Sequence, residues 1–358
     1  MSGRRSATLQ TVADHLGVSR TTVSNAYNRP DQLSEELRTR ILDAAAELGY
    51  RGPAAAGRML RTGRMGAIGL LFTEDLARVF ADPNTALFMQ GLSETTAFNE
   101  TAITLLPVPV GSNLSETAVH HAAIDGVIVF SVPHGHPALA ALLDRRLPTV
   151  TVDQPNLGAA ASYVGIDDRE GARLAAGHLL ELGHRRLGVL LGRARLGRPH
   201  GRLDLDDQRE LDVRIAAERL AGYRSAMTER GLDPDELIVW HAASLDPDSG
   251  RNTALELLEQ HPDLTGLLCF SDGLAIGATQ AAQRLGLVVP DDLSVVGFDD
   301  VPRAAAWDPP LTTVHQSLVD KGRVAAELLA AQIRDGRVGR VMLPIGLVER
   351  GSTSAPRS

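Results

Sequence analysis

The sequence predicts a small all-α helix-turn-helix domain at residues 1–50, a linker at 51–65, and an α/β domain at 66–358 made of two doubly wound parallel-sheet subdomains. Three observations predict this. Leu9, Val12, Ala13 and Leu16 lie at helical spacing, with Gly17 placed to stop that helix and Ser19 to cap the next. From Ala67 onward, short continuous apolar runs alternate with amphipathic helical stretches. A chain of 358 residues can bury two or three sizeable cores.

The second helix, Arg20 to Tyr27, should bury Val23 together with Ala26 or Tyr27 and leave Arg20, Thr21, Ser24, Asn25 and Asn28 outside. Short polar groups with one arginine and no carboxylate suit a helix lying in a DNA major groove. A helical hairpin with a solvated face is the plainer alternative. Ser34 should cap a third helix, with Glu35 and Glu36 in its first turn and Leu37, Ile41, Ala44, Ala45 and Leu48 on one face before Gly49. Three such helices can close a small core. Charge favours the DNA reading: residues 1–63 hold nine arginines against six acidic residues, a net of +3, so the remainder carries −11 of the overall −8.

Arg51-Gly52-Pro53 breaks the third helix, and AAAGRMLR follows as a helix-prone piece. A helix of under about ten residues is unstable alone in water, and Gly57 weakens it by about 1 kcal/mol relative to Ala. This piece is therefore expected to be disordered in the free protein.

In the larger domain, AIGLLF, TAITLL, DGVIVF and TVTVD alternate with helices around Ala86 to Asn99, Ser115 to Ala123 and Pro137 to Arg145. A second series, LGVLL, LIVWH, GLLCF and LSVVGF, alternates with helices around Arg169 to Leu182, Val213 to Arg230, Ser249 to Gln260 and Leu274 to Leu285. Strands apolar throughout imply sheets covered on both faces. Gly192 to Asp212 alternates basic and acidic residues and reads as an exposed loop, either a lid or a solvated insertion. No heptad pattern follows VMLPIGLV, so no C-terminal coiled-coil tetramer is expected.

Several segments in order, VADHLGVSRTTVSNAYN, LSEELRTRILDAAAELGY, GPAAAGRMLRTGRMGAIGLL, REGARLAAGHLLELGHRRLGVLLG, ERLAGYRSAM, CFSDGLAIGATQAAQRLGLVVPDDLSVVGFDD and PPLTTVHQ, resemble the LacI/GalR family of bacterial transcription regulators across nearly the whole chain. The resemblance implies a periplasmic-binding-protein-like effector domain with three crossings, near Tyr163, Val314 and Arg340. The N-subdomain would span about 66–162 and 315–339, the C-subdomain about 163–314 and 340–350, and the helix from Gln316 to Arg334 would return to the first. It further implies a homodimer, most readily a repressor, on a near-palindromic operator. Arg20, Thr21 and Asn25 match the family's base readers, while Thr22, Ser24 and Asn28 are better placed for phosphate. Leu60, with Arg58 beside it and Ala56 and Gly57 before it, matches the hinge whose leucine wedges into the minor groove. Gly57 departs from the family's more usual alanine.

Doubly wound folds bind ligands beyond the carboxyl ends of their strands, where Thr73, Glu74, Ser131, Asp272 and Asp299 fall. The resemblance adds Arg219 and points again to Asp299. An arginine facing carboxylates could grip the adjacent hydroxyls of a sugar or nucleoside. For Asp272 and Asp300 capping and loop bonding is the plainer role. Trp307 could stack on a ligand or pack into the core. The expected switch is allosteric: an effector shifts the two subdomains and so controls the pairing of the hinges, and the sequence does not give its sign, inducer or co-repressor.

No GxSxG, GxxxxGK[ST] or HExxH occurs, so an enzyme on this fold finds no catalytic set and no cofactor is expected. His120-His121 and His134-Gly135-His136 lack further metal ligands. A solute-binding transport protein would share the two lobes but would need a secretion signal and has no use for residues 8 to 60. With no membrane-length apolar run, the expectation is a cytoplasmic protein. Cys269, the only cysteine, lies in an apolar run and reads as a structural thiol. Lys321 is the only lysine, and with the abundant Arg and Ala this composition suggests a GC-rich bacterial genome.

Overall fold

The computed structural model describes residues 7–50, 52, 63–98, 101–109, 115–192, 194 and 199–357. These form two compact units that divide between Gly66 and Ala67.

The first unit is α1 (Leu9–Leu16), α2 (Arg20–Asn28) and α3 (Glu35–Glu47), with a 3-10 turn at Pro30–Gln32. Thr8 and Thr11 cap the start of α1 reciprocally, and Gly17 ends it at φ 67°, a left-handed conformation that glycine adopts without strain. The hydroxyls of Ser19 and Ser34 accept from the N–H groups of Thr22 and Leu37, the third residues of their helices. Val12, Ala13, Val23, Ala26, Ile41 and Ala45 form the core. Ala26, rather than Tyr27, is the buried residue. Tyr27 stays half-buried with its ring edge-on to Tyr50, 5.9 Å between centroids.

The second unit opens with β1 (Ala67–Phe72), α4 (Leu76–Ala81), α5 (Pro83–Glu94), β2 (Ala102–Pro107), α6 (Ser115–His121), β3 (Gly126–Phe130), α7 (Pro137–Asp144), β4 (Thr149–Val152) and β5 (Ser162–Gly165). The chain then crosses to α8 (Asp168–Glu181), β6 (Leu187–Leu191), β7 (Gly201–Arg202), α9 (Leu205–Arg209), α10 (Arg214–Glu229), β8 (Ile238–His241), α11 (Pro247–Gln260), β9 (Gly266–Cys269), α12 (Asp272–Arg284), β10 (Ser294–Asp299), α13 (Pro302–Ala305) and β11 (Thr312–Gln316). It returns through α14 (Leu318–Asp335) and β12 (Arg340–Met342), and ends in β13 (Ile345–Val348).

The first sheet, ordered β12-β5-β4-β3-β1-β2, is parallel throughout. The second, β13-β11-β10-β9-β6-β8-β7, is parallel inside with antiparallel strands at both edges. The two doubly wound subdomains expected from the sequence are therefore present. Strand β1 shows why its run is apolar throughout: Ile68, Leu70 and Phe72 face α5 and α14, while Leu71 joins the core under α6 and α7. Helices α5 and α14 nearly touch, since a Cβ on Gly91 would lie 1.9 Å from the Val319 carbonyl oxygen.

Three details differ from the sequence reading. The helix expected at Ala86 to Asn99 starts at Pro83, because Asp82 accepts from the N–H groups of Asn84 and Thr85, and it ends at Glu94. All three crossings fall a few residues beyond the expected bounds, since Ser162–Gly165 and Arg340–Met342 belong to the first sheet and Thr312–Gln316 to the second; Arg340 pairs in register with Tyr163 and lays its guanidinium 4.2 Å from that ring's centre. The described part of Gly192 to Asp212 is not simply an exposed loop. Gly201–Arg202 pairs with β8, Ala194 and Leu203 are buried, and the Gln208 amide donates to the Leu203 carbonyl. No helix among the described residues is long and apolar enough to cross a membrane.

Candidate functional site

In the first unit, α2 turns Val23 and Ala26 inward and Arg20 and Thr21 fully outward. Asn25 is half-buried, and its Nδ2 donates to Gln32 Oε1 at 3.1 Å. That bond orients the amide and leaves it a second N–H. Thr22, assigned to phosphate from the sequence, shares a 2.8 Å hydroxyl contact with the cap Ser19. Ser24 is half-buried, and Asn28 closes the helix with its side chain outside the described residues. The Arg38 Nε donates to the Ala26 carbonyl at 3.4 Å, bracing α3 against α2. The hinge candidates Ala56, Gly57, Arg58 and Leu60 lie outside the described residues.

In the second unit, a cavity of about 190 Å³ lies between the carboxyl ends of the two sheets. Thr73, Glu74, Ser131, Arg219 and Asp299 all line it. A neighbouring cavity of about 260 Å³ shares Glu74, Asn84 and Asp299 and adds Asp272. Trp307 lines neither. It is half-buried, and its Nε1 donates to Thr279 Oγ1 at 2.9 Å, so the indole serves packing rather than ligand stacking.

Arg219, expected to touch the effector, lines the cavity but is buried, with most of its guanidinium already engaged. Its Nε donates to Asp168 Oδ1 at 3.0 Å and its Nη1 to the Phe270 carbonyl, and its guanidinium sits 3.4 Å from the Phe298 ring centre and 4.3 Å from that of Phe270. Burial pushes the Asp168 carboxyl up, with the Arg219 charge pulling against it. Asp272 is fully buried, accepting from Thr313 Oγ1 at 2.6 Å and the Val301 N–H at 2.8 Å. Burial, and then the neighbouring Asp299, push its carboxyl up to about 8. Two structural bonds account for its position, although it also borders the second cavity. Asp300 is paired with Arg350 at 2.6 Å and His315 at 2.9 Å, a loop-bonding role.

Asp299 is the centre of the site. At φ 111° its backbone is strained for a residue bearing a side chain. Its Oδ1 accepts from Gln316 Nε2 at 2.6 Å and its Oδ2 from Asn84 Nδ2 at 2.7 Å. Asn84 belongs to α5 of the first subdomain and Asp299 to β10 of the second, so this bond spans the cleft. Burial pushes Asp299 up to about 6, opposed by Arg219, Asn84 and Gln316. The network continues through Gln316 Oε1, which accepts from Lys321 Nζ, and the same ammonium donates to Asp153 Oδ1 at 2.5 Å. Lys321 is completely buried. The Asp153 carbonyl accepts from Tyr163 Oη at 3.0 Å and from Arg214 Nη2 at 2.5 Å, tying both subdomains to one peptide. Gln154 donates from Nε2 to the Ser131 carbonyl at 3.3 Å.

Sequence reasoning missed Asn84, Asp153, Gln154, Gln316 and Lys321. Two signals pointed to some of them. Asp153 ends the run TVTVD, and a lone lysine among so many arginines marks a place where a compact ammonium fits and a planar guanidinium would not. No group of three or more His, Cys, Asp or Glu among the described residues is disposed to hold a metal ion.

Comparison with known proteins shows the family and the fold. Residues 8–52 match the bacterial regulatory proteins of the lacI family, and residues 176–353 match a periplasmic binding protein-like domain. An HTH-type transcriptional regulator of Mycobacterium tuberculosis is 42% identical over 355 residues, covering 99% of this chain and 98% of that protein. The structure of the transcriptional regulator CelR in complex with cellobiose is 30% identical, with a TM-score of 0.69 over 97% of this chain and 99% of that one. The lac repressor dimer bound to operator and the anti-inducer ONPF is 25% identical, with a TM-score of 0.77 over 98% of this chain and 100% of that one.

Proposed function

Because the chain belongs to the LacI family of bacterial regulatory proteins, we propose that it is a repressor that binds a near-palindromic operator as a homodimer under the control of a sugar- or nucleoside-like effector. That it is a helix-turn-helix transcriptional regulator with a ligand-binding domain follows from its relatives. The finer reading rests on one observation. The same chain carries a carboxylate-free outward face on α2 and, in its other unit, a cleft whose two walls meet through Asn84 and Asp299.

In this reading Arg20 reads guanine and Asn25 reads adenine, each contact worth about 1 to 3 kcal/mol of discrimination, with Thr21 a less selective reader. Thr22, Ser24 and Asn28 set the register on phosphates. One module contacts too little DNA for a specific site, and two-fold protein symmetry is mirrored in the operator. Two solved relatives support the reading: the lac repressor was captured as a dimer on operator, and CelR with cellobiose. An effector entering the cleft competes for Asp299 and Asn84 and changes the angle between the subdomains. A coupling of about 1 to 3 kcal/mol between effector and operator suffices for a switch.

Selection of binding duplexes from a random pool tests the DNA half. The expected outcome is a near-palindromic consensus, with preference lost at one base step per half-site in Asn25→Ala. No enrichment over random competitor, or an unchanged consensus in the variant, contradicts it.

A further inference from the structure

The amide of Asn25 is held by a residue outside α2. Its Nδ2 donates to Gln32 Oε1 across seven positions of sequence, and Gln32 is the last residue of the 3-10 turn Pro30–Gln32. That turn is fixed at both ends. The Arg29 N–H donates to the Asn25 carbonyl at 2.9 Å and the Gln32 N–H to the Arg29 carbonyl at 3.0 Å, while Leu33, next in the chain, packs against the core of the first unit. Pro30, with its fixed φ, opens the turn. The Gln32 side chain is exposed beside the half-buried Asn25.

A bond this exposed matters little for folding, because water replaces it at small net cost. Its effect falls on the side-chain torsion of Asn25. The terminal torsion of an asparagine is broad and roughly two-fold, so an untethered amide visits many orientations, few of which suit a given base edge. An adenine edge in the major groove offers one donor and one acceptor, and it asks for one oxygen and one N–H in return. Asn25, with one N–H given to Gln32, retains Oδ1 and one N–H that make no other hydrogen bond among the described residues. An amide oriented before DNA arrives removes an ordering cost from recognition.

We propose that Gln32 is the positioning residue for base readout by Asn25: its Oε1 holds the asparagine amide in the orientation that matches adenine, so specificity at that base step depends on a residue outside the recognition helix. The proposal rests on the reading of Asn25 as a base contact. Glutamine suits the role because it accepts the bond without bringing a negative charge toward the phosphates, and an apolar side chain of the same length accepts nothing.

The test measures binding of the full chain, at fixed salt, to the duplex it selects from a random pool and to each single base-pair substitution of that duplex in one half-site. Gln32→Met removes the acceptor at similar length. It is expected to reduce discrimination at the Asn25 step by about 3- to 10-fold, with the other steps and urea unfolding little changed. Gln32→Glu keeps an acceptor but adds a charge that phosphates repel, so discrimination should stay near that of the unaltered chain while affinity falls for every duplex alike. In an Asn25→Ala background, Gln32→Met should change nothing further at that step. Discrimination that is unchanged in Gln32→Met, lost equally in Gln32→Glu, lowered at every step alike, or lowered further without Asn25 overturns the proposal. If no duplex is selected, or Asn25→Ala itself leaves discrimination unchanged, the reading of α2 fails and the role of Gln32 with it. A loss in Asn25→Ala that Gln32→Met does not share removes the role of Gln32 alone.

Discussion

Along α2, the residues assigned to reading DNA come from the six positions between Arg20 and Asn25, and the most exposed of them point to solvent. In the cleft, Asn84, Asp153, Asp299, Gln316 and Lys321 come from across more than two hundred positions, are mostly buried, and bond to one another. The first surface is held by local caps and a small core and leaves Arg20 and Thr21 turned to solvent. The second uses most of its polar groups to hold its own walls. A site of the second kind is coupled to domain geometry by construction, since a ligand that takes one partner disturbs the rest.

Removing the hub of the buried network should have the largest effect. Lys321→Met leaves Asp153 as an uncompensated carboxylate and is expected to cost about 3 to 5 kcal/mol in urea unfolding. Adding Asp153→Asn should restore part of that loss. A loss below about 1 kcal/mol would mean that the network does not hold the cleft.

On the recognition helix, Asn25→Ala should lower operator affinity by about 1 to 3 kcal/mol at the base step it reads, with unfolding little changed. A uniform fall across all sequences would instead make Asn25 a phosphate contact.

Sensitivity to rising pH separates the two regions next. Asp272 is raised from 3.8 to about 8, so its stabilising contribution is full below the unfolded value and is lost as pH rises through the folded one. Between about pH 5 and 8 the second unit should therefore lose stability by up to about 1.4 kcal/mol per pH unit. Asp272→Asn should flatten that slope, because its amide can accept from Val301 while the Thr313 hydroxyl turns to accept from it. Equal slopes in the two proteins would refute the assignment.

The smallest effect is expected at a cap. Ser19→Ala removes the acceptor for the Thr22 N–H and should destabilise α2 by about 1 kcal/mol, read as roughly fivefold faster amide exchange in that helix.

The same contrast governs what the amino-acid sequence alone discloses. Gly17, Ser19, Ser34 and the apolar strands announce themselves because caps and periodicity act within a few residues. Asp299 and Arg219 were found through strand ends and a family motif, but their partners were not, because nothing local links Asn84 to a position 215 residues away. Trp307 was ambiguous because its N–H needed a partner the sequence could not name, and Thr279 supplies it. Alternating charges between Gly192 and Asp212 masked a two-residue edge strand whose only local sign is the buried Leu203.

In the proposed regulator the cleft and the α2 face are thermodynamically linked in one protein. The decisive measurement is the affinity of the selected duplex with and without saturating ligand, and of the ligand with and without duplex. Linkage requires both to change by the same factor, about 5- to 150-fold. Duplex affinity that stays the same at saturating ligand would contradict it.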